Sequence, residues 1–156
     1  MNRDRVRAFL VAFGVLVVDQ LTKVWALSHL DSVPVPIVGD VLRFVLRFNT
    51  AAAFSIAWGG PMVLLVFNVV ASVLLVVYIL RMKSTRVMLF LGLTLGGALG
   101  NTIDRVFRGP VTDFIDMGIG TLRWPVFNVA DIALVVGGAL LLLSSGGKCA
   151  CKDVRA

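Results

Sequence analysis

Four long apolar stretches constrain this chain more than anything else in it. Val6 to Leu27 runs for 22 residues, and at ~1.5 Å per residue it reaches across the ~30 Å hydrocarbon core of a bilayer. Its centre, Ala8 to Val18, carries no polar side chain. Three further stretches follow at 61–80, 87–103 and 127–143. Together they predict an all-α integral membrane protein, a single embedded domain over 1–156 with four transmembrane helices. The overall balance agrees. Of the 156 residues 58% are hydrophobic, against ~45–50% in soluble domains, and the mean hydropathy is +0.94.

The net charge of +6 is distributed in three clusters. Arg3, Arg5 and Arg7 precede the first span, Arg81, Lys83 and Arg86 lie between the second and third, and Lys148, Lys152 and Arg155 follow the fourth. Basic residues gather on the cytoplasmic side of membrane proteins, so both termini are expected there. Clusters separated by apolar spans do not form the continuous basic face that nucleic acid requires, and no nucleic-acid partner is expected. The basic start resembles a secretory signal. Asp19 interrupts the apolar run and no small-residue cleavage site follows it, so a removable signal is not expected. Cys149 and Cys151 fall in the cytoplasmic tail and are expected to be reduced thiols. The lone His29 is read as an interfacial residue, and no spaced His/Cys set supports a metal.

The segments between spans carry the polar character. Residues 33–40 (VPVPIVGD) read as extended and turn-like. Val41 to Phe48 is rich in β-branched and aromatic residues, which suggests short strands, although Arg43 and Arg47 would also share a helical face. Phe54 and Trp58 suit a segment lying at the membrane interface. In the third span Gly92, Gly96 and Gly100 form a ridge at spacing four, the pattern that lets helices approach closely in lipid. All nine acids are Asp and none is Glu, which places them at helix ends and in loops.

Residues 96–131 hold the densest polar set: Asn101, Asp104, Arg105, Asp113, Asp116, Asn128 and Asp131. A charge at mid-bilayer costs ~3 kcal/mol or more, so such groups are usually there for function. Asp113 and Asp131 have no adjacent cation, and we expect them to converge as a carboxylate pair. Asp104, beside Arg105, reads more simply as an ion-paired helix end, and nothing marks Asp116. Asn128 is a plausible N-cap of the last span, with Asp131 in its first turn. Asp19 and Lys23, four apart, form either an interfacial ion pair ending the first span or a pair whose carboxylate faces the site. Two carboxylates sharing a proton can activate water against an amide without a cofactor. A serine or cysteine triad lacks a base, because His29 is far from any Ser motif. A metal-assisted hydrolase and a non-enzymatic transport or assembly protein are the remaining alternatives; chelator sensitivity and polar residues lining a path across the bilayer would mark them.

Five ordered blocks give a more specific signal. They are residues 19–23 (DQLTK), 49–55 (NTAAAFS), 96–105 (GGALGNTIDR), 111–114 (VTDF) and 127–131 (FNVAD). The sequence resembles the lipoprotein signal peptidase (signal peptidase II) family across most of its length. The resemblance implies an aspartyl endopeptidase of the bacterial inner membrane that removes signal peptides from prolipoproteins, cleaving before a diacylglyceryl-modified cysteine near the outer face. It implies Asp113 and Asp131 as the catalytic pair, with Asp19, Asn49, Asn101, Arg105 and Asn128 lining or supporting the site. It implies no cofactor or metal, membrane lipid as surroundings, a monomer, and inhibition by cyclic peptides of the globomycin type. The first outside loop is implied to form a small β-cradle and an interfacial helix. Ala51 stands where the family usually has Gly, and Thr112 where it more often has Val.

Overall fold

The computed structural model describes residues 3–50 and 60–146. Helix α1 (Arg3–His29) leads into strands β1 (Val35–Val38) and β2 (Leu42–Asn49). Helices α2 (Gly60–Arg81) and α3 (Thr85–Phe107) follow, then β3 (Val111–Ile119), β4 (Leu122–Arg123) and α4 (Val129–Gly146). The first three predicted spans lie within helices that run one to four residues further at each end, whereas the fourth, expected from 127 to 143, begins at Val129 and ends at Gly146. The extension of α3 matters most, because it puts Asp104 inside the helix rather than after it. Helices α1 and α3, and α2 from Met62, are long and apolar enough to cross a membrane, and α4 is apolar over the shorter Val129–Ser144. The expected interfacial helix, with Ala51, Phe54 and Trp58, and the tail cysteines Cys149 and Cys151 lie outside the described residues.

Helix α3 is the centre of the bundle. Over its most apolar window 56% is buried, against 22% for α1 and 11% for α2, so the others present most of their apolar surface outward, as lipid-facing helices do. The glycine ridge explains how α1 gets close. A Cβ at Gly92 would run into the Ala8 carbonyl, and one at Gly96 would meet the Ala12 carbonyl and Val15. On another face, a Cβ at Gly97 would strike the Ala130 carbonyl of the α4 start. Ala8, Ala12, Ile79, Met88, Leu91 and Leu95 form the buried apolar cluster beside this seam.

The sheet is antiparallel in the order β1-β2-β3-β4. The strand reading of Val41–Phe48 is therefore the one adopted. The cradle is not made by the first loop alone: β2 pairs with β3 from the segment between α3 and α4, and β1 and β4 extend the sheet on either side. Strand β3 is the longest and most buried of the four, alternates little and lies between β2 and β4. Gly109, with φ 88°, reverses the chain between α3 and β3, and its N–H closes onto the Asp104 carbonyl at 3.1 Å. Rings fasten the sheet to α1: Trp25 packs edge-on to Phe44 (5.5 Å) and Phe114 (6.3 Å) and stacks on His29 (5.8 Å).

Candidate active site

Asp113 and Asp131 reach one network from different elements. Asp131 lies in the first turn of α4, where it forms a reciprocal cap with Asn128. The Asp131 backbone N–H donates to Asn128 Oδ1 (2.9 Å), and the Asn128 backbone N–H donates to Asp131 Oδ2 (3.2 Å). This satisfies orphan amides at the helix start and leaves Asp131 Oδ1 to accept from Asn101 Nδ2 of α3 at 2.8 Å. Asp113 is the third residue of β3. Its Oδ1 accepts from Asn128 Nδ2 (2.6 Å) and its Oδ2 from Asn49 Nδ2 at the end of β2 (3.0 Å). Asn128 Nδ2 also lies 3.1 Å from Asn101 Oδ1. Two asparagines therefore link the two carboxylates.

Asp113 is 1% exposed. Its carboxyl is pushed up to about 7, first by burial and then by the charge of Asp131, against the opposing hydrogen bonds of Asn49 and Asn128 and the charge of Lys23. A carboxyl poised near neutrality beside a second carboxylate suits the sharing of one proton. Arg105 is half-buried, donates to the Asn101 carbonyl at 3.4 Å, and lies within electrostatic reach of Asp131, Asp113 and Asp104.

Asp19 keeps the expected pair with Lys23 and turns its carboxylate toward the residue beside Asp131. It is wholly buried and pairs with Lys23 at 2.9 Å, yet its other oxygen accepts the Ala130 backbone N–H at 2.9 Å, next to Asp131. Asp104 is ion-paired as expected, but with Lys23 (3.2 Å) and Arg108, while Arg105 turns toward Asn101. Asp116, unmarked in the sequence, is gripped by Arg43 (2.7 Å) and Arg123 (2.9 Å). Burial pushes its carboxyl up, but the hydrogen bonds and charges of Arg123 and Arg43 together hold it below its ordinary value. Lys23, Gln20 and Arg108 belong to the network and are missing from the expected site. For Lys23 the available signal was its place among apolar residues on the face it shares with Asp19. For Arg108, one turn beyond Asp104, the signal was hidden by placing the helix end too early.

Apolar helices surrounding one central helix, closed at one end by a small sheet, with buried carboxylates where the two meet, describe a membrane-embedded enzyme. Solved structures of that kind share the fold. One, described as a bacterial membrane enzyme obtained by the in meso method, superposes with a TM-score of 0.84 at 27% identity, covering 96% of this chain and 93% of its own. A second of the same description gives 0.80 at 28% identity over 94% of this chain. The family profile described as Signal peptidase (SPase) II matches residues 11–146. Relatives named lipoprotein signal peptidase include those of Rhodococcus jostii, 43% identical over 91% of this chain and 73% of its own, and Geobacillus kaustophilus, 40% identical over 85% and 88%. The chain belongs to the signal peptidase II family, and it is a protease with several apolar helices in the membrane.

Proposed function

We propose that Asp113 and Asp131 are the catalytic pair with which this enzyme removes signal peptides from diacylglyceryl-modified prolipoproteins, cutting before the lipidated cysteine. The observation that carries the pairing is the asparagine linkage: Asn128 holds Asp113 with its side-chain nitrogen and Asp131 with its side-chain oxygen and backbone N–H. Asp113, near neutrality, carries the shared proton. Asp131 takes a proton from the attacking water while Asp113 protonates the amide oxygen, and the roles reverse as the amine leaves. Asn101 and Asn128 orient the carboxylates, Asn49 holds the outer oxygen of Asp113, and Asp19 holds the start of α4. Arg105 offers positive charge near the developing oxyanion.

All four helices cross the membrane in this proposal, the α4 span being completed by its capped entry at Asn128. The three basic clusters put both termini in the cytoplasm of a bacterial inner membrane, with the site near the outer face. The substrate's acyl chains stay in lipid, so anchoring supplies much of the positioning entropy of the reaction. In this reading the first outside loop covers the site. Globomycin-type cyclic peptides bind there, and the single domain 1–156 works as a monomer without metal. The test is cleavage of a lipid-modified prolipoprotein by purified protein in detergent, with and without chelator. Chelator-resistant cleavage supports the proposal, and loss of cleavage on chelation rejects it in favour of metal-bound water.

A further inference from the structure

One buried ammonium touches both halves of the site. Lys23 Nζ, on a side chain with 0% exposure, lies 2.9 Å from Asp19 Oδ2, 3.2 Å from Asp104 Oδ2 and 3.0 Å from Asn101 Oδ1. A protonated lysine has three N–H donors and no acceptor, so its capacity is filled. Each of the three acceptors is engaged a second time. Asp19 Oδ1 accepts the backbone N–H of Ala130, the residue before Asp131, at 2.9 Å. Asp104 Oδ2 accepts the backbone N–H of Thr112, the residue before Asp113, at 2.8 Å. Asn101 passes its amide nitrogen to Asp131 itself.

We infer that Lys23 is a positioning residue for the proteolytic reaction, fixing both aspartates at once through the backbone amide that precedes each and through the Asn101 amide. The inference rests on the Asp113–Asp131 reading of the site. The orientation of Asn101 shows why a cation is needed there. The Asn101 oxygen faces two donors, Lys23 Nζ and Asn128 Nδ2, so the nitrogen is turned to Asp131. Without the ammonium the amide can turn over and set an oxygen against a carboxylate. The cluster is also charge-balanced, with Lys23 and Arg108 against Asp19 and Asp104. An ion pair kept only to end a helix span has no need of a third, neutral acceptor pointing at the site. Gly100 makes the arrangement possible, since a Cβ there would come to 2.5 Å of Asp19 Oδ2.

The test compares Lys23→Met with Lys23→Met/Asp104→Asn, which removes one charge of each sign and keeps the buried cluster balanced if the single variant does not fold. In detergent, with lipid-modified prolipoprotein as substrate, kcat is expected to fall at least 100-fold in the single variant and at least 30-fold in the folded double variant, with KM within threefold of wild type. The groups acting on Asp113 are Asp131 from α4, Lys23 from α1, Arg105 from α3, and Asn49 and Asn128 by hydrogen bonds; Arg47, its register partner on β2, is exposed. Removing the Lys23 charge lets Asp113, the partner that carries the proton, hold it to higher pH, so the alkaline limb of the rate profile is expected to move to higher pH. Where cleavage is too slow to follow, the same shift is read from the pH dependence of thermal stability. A folded double variant with kcat within threefold of wild type, or a folded Lys23→Met variant with an unmoved pH dependence, overturns the inference. Asp131→Asn is run beside them. If it cleaves normally the reading of the pair fails, and if it is dead while the Lys23 variants are normal only the role of Lys23 fails.

Discussion

At the scale of single residues, the buried polar groups of β3 lead to two measurable effects. The folded Asp113 carboxyl holds its proton up to about 7, whereas its ordinary value is 3.8. Between those values the unfolded chain binds fewer protons than the folded one, so this group's contribution to stability is fully present below about pH 4 and is lost as pH rises through about 7. Thermal unfolding of Asp113→Asn in detergent should lack that part of the pH dependence. An unchanged slope against wild type would mean that Asp113 ionises as an ordinary carboxylate. Its neighbour Thr112 is wholly buried, and its hydroxyl has no hydrogen-bond partner among the described residues. Burying an unpaired hydroxyl costs ~1–3 kcal/mol, and valine has nearly the same shape. Thr112→Val should therefore raise the melting temperature, and a lowered one would show that the hydroxyl is paired.

At the scale of elements, the close seams of α3 decide what the site can tolerate. Gly92 and Gly100 both face α1, one against the Ala8 carbonyl and the other against Asp19, while Gly138 on α4 has open space around it. Adding one methyl at Gly92 should push α1 from α3 and destabilise the fold by ~2–3 kcal/mol, the usual range for overpacking. At Gly100 the same methyl displaces Asp19, so activity should fall more than stability does. Gly138→Ala should be neutral or stabilising by up to ~1 kcal/mol, from helix propensity alone. Melting temperatures and cleavage rates of the three variants, measured together, check this. Equal effects at Gly100 and Gly138 would contradict the packing described. The sheet has its own clasp in Asp116, and Arg43 and Arg123 hold that carboxylate from the β2 and β4 sides. Asp116→Ala should loosen β4 from β3 and cost about 2–3 kcal/mol, because two guanidinium groups lose a buried partner. Hydrogen exchange of the β3 and β4 amides would detect the loosening, and unchanged protection would assign the clasp no role.

At the scale of the whole molecule, the sequence carried the helices well and their polar contacts unevenly. Hydropathy places a span wherever ~20 apolar residues run together, so α1 to α4 were legible to within a few residues. The glycine spacing foretold the α3 seam because only close backbones need it. The sheet was half legible. Strand composition marked β2, but β-pairing across residues 42–117 leaves no local trace, and the cradle implied by the family resemblance was placed in the first outside loop alone. The asparagines and Asp19 stood out as polar residues at span ends. Lys23 was legible only as the partner of Asp19 and not as part of the site, because a lysine near a helix end ordinarily reaches for the interface. Only the three-dimensional packing turns it inward, to 0% exposure.

The claim at the centre of this account is that Asp113, rather than Asp104, is the partner of Asp131. The decisive measurement is a gel-shift cleavage assay of a diacylglyceryl-modified prolipoprotein in detergent, with Asp113→Asn, Asp131→Asn and Asp104→Asn run beside the wild type and each shown to be folded. The account predicts no detectable product with Asp113→Asn or Asp131→Asn, and reduced but measurable cleavage with Asp104→Asn, whose loss leaves Lys23 still bound to Asp19 and Asn101. Cleavage by Asp113→Asn together with an inert Asp104→Asn would contradict it.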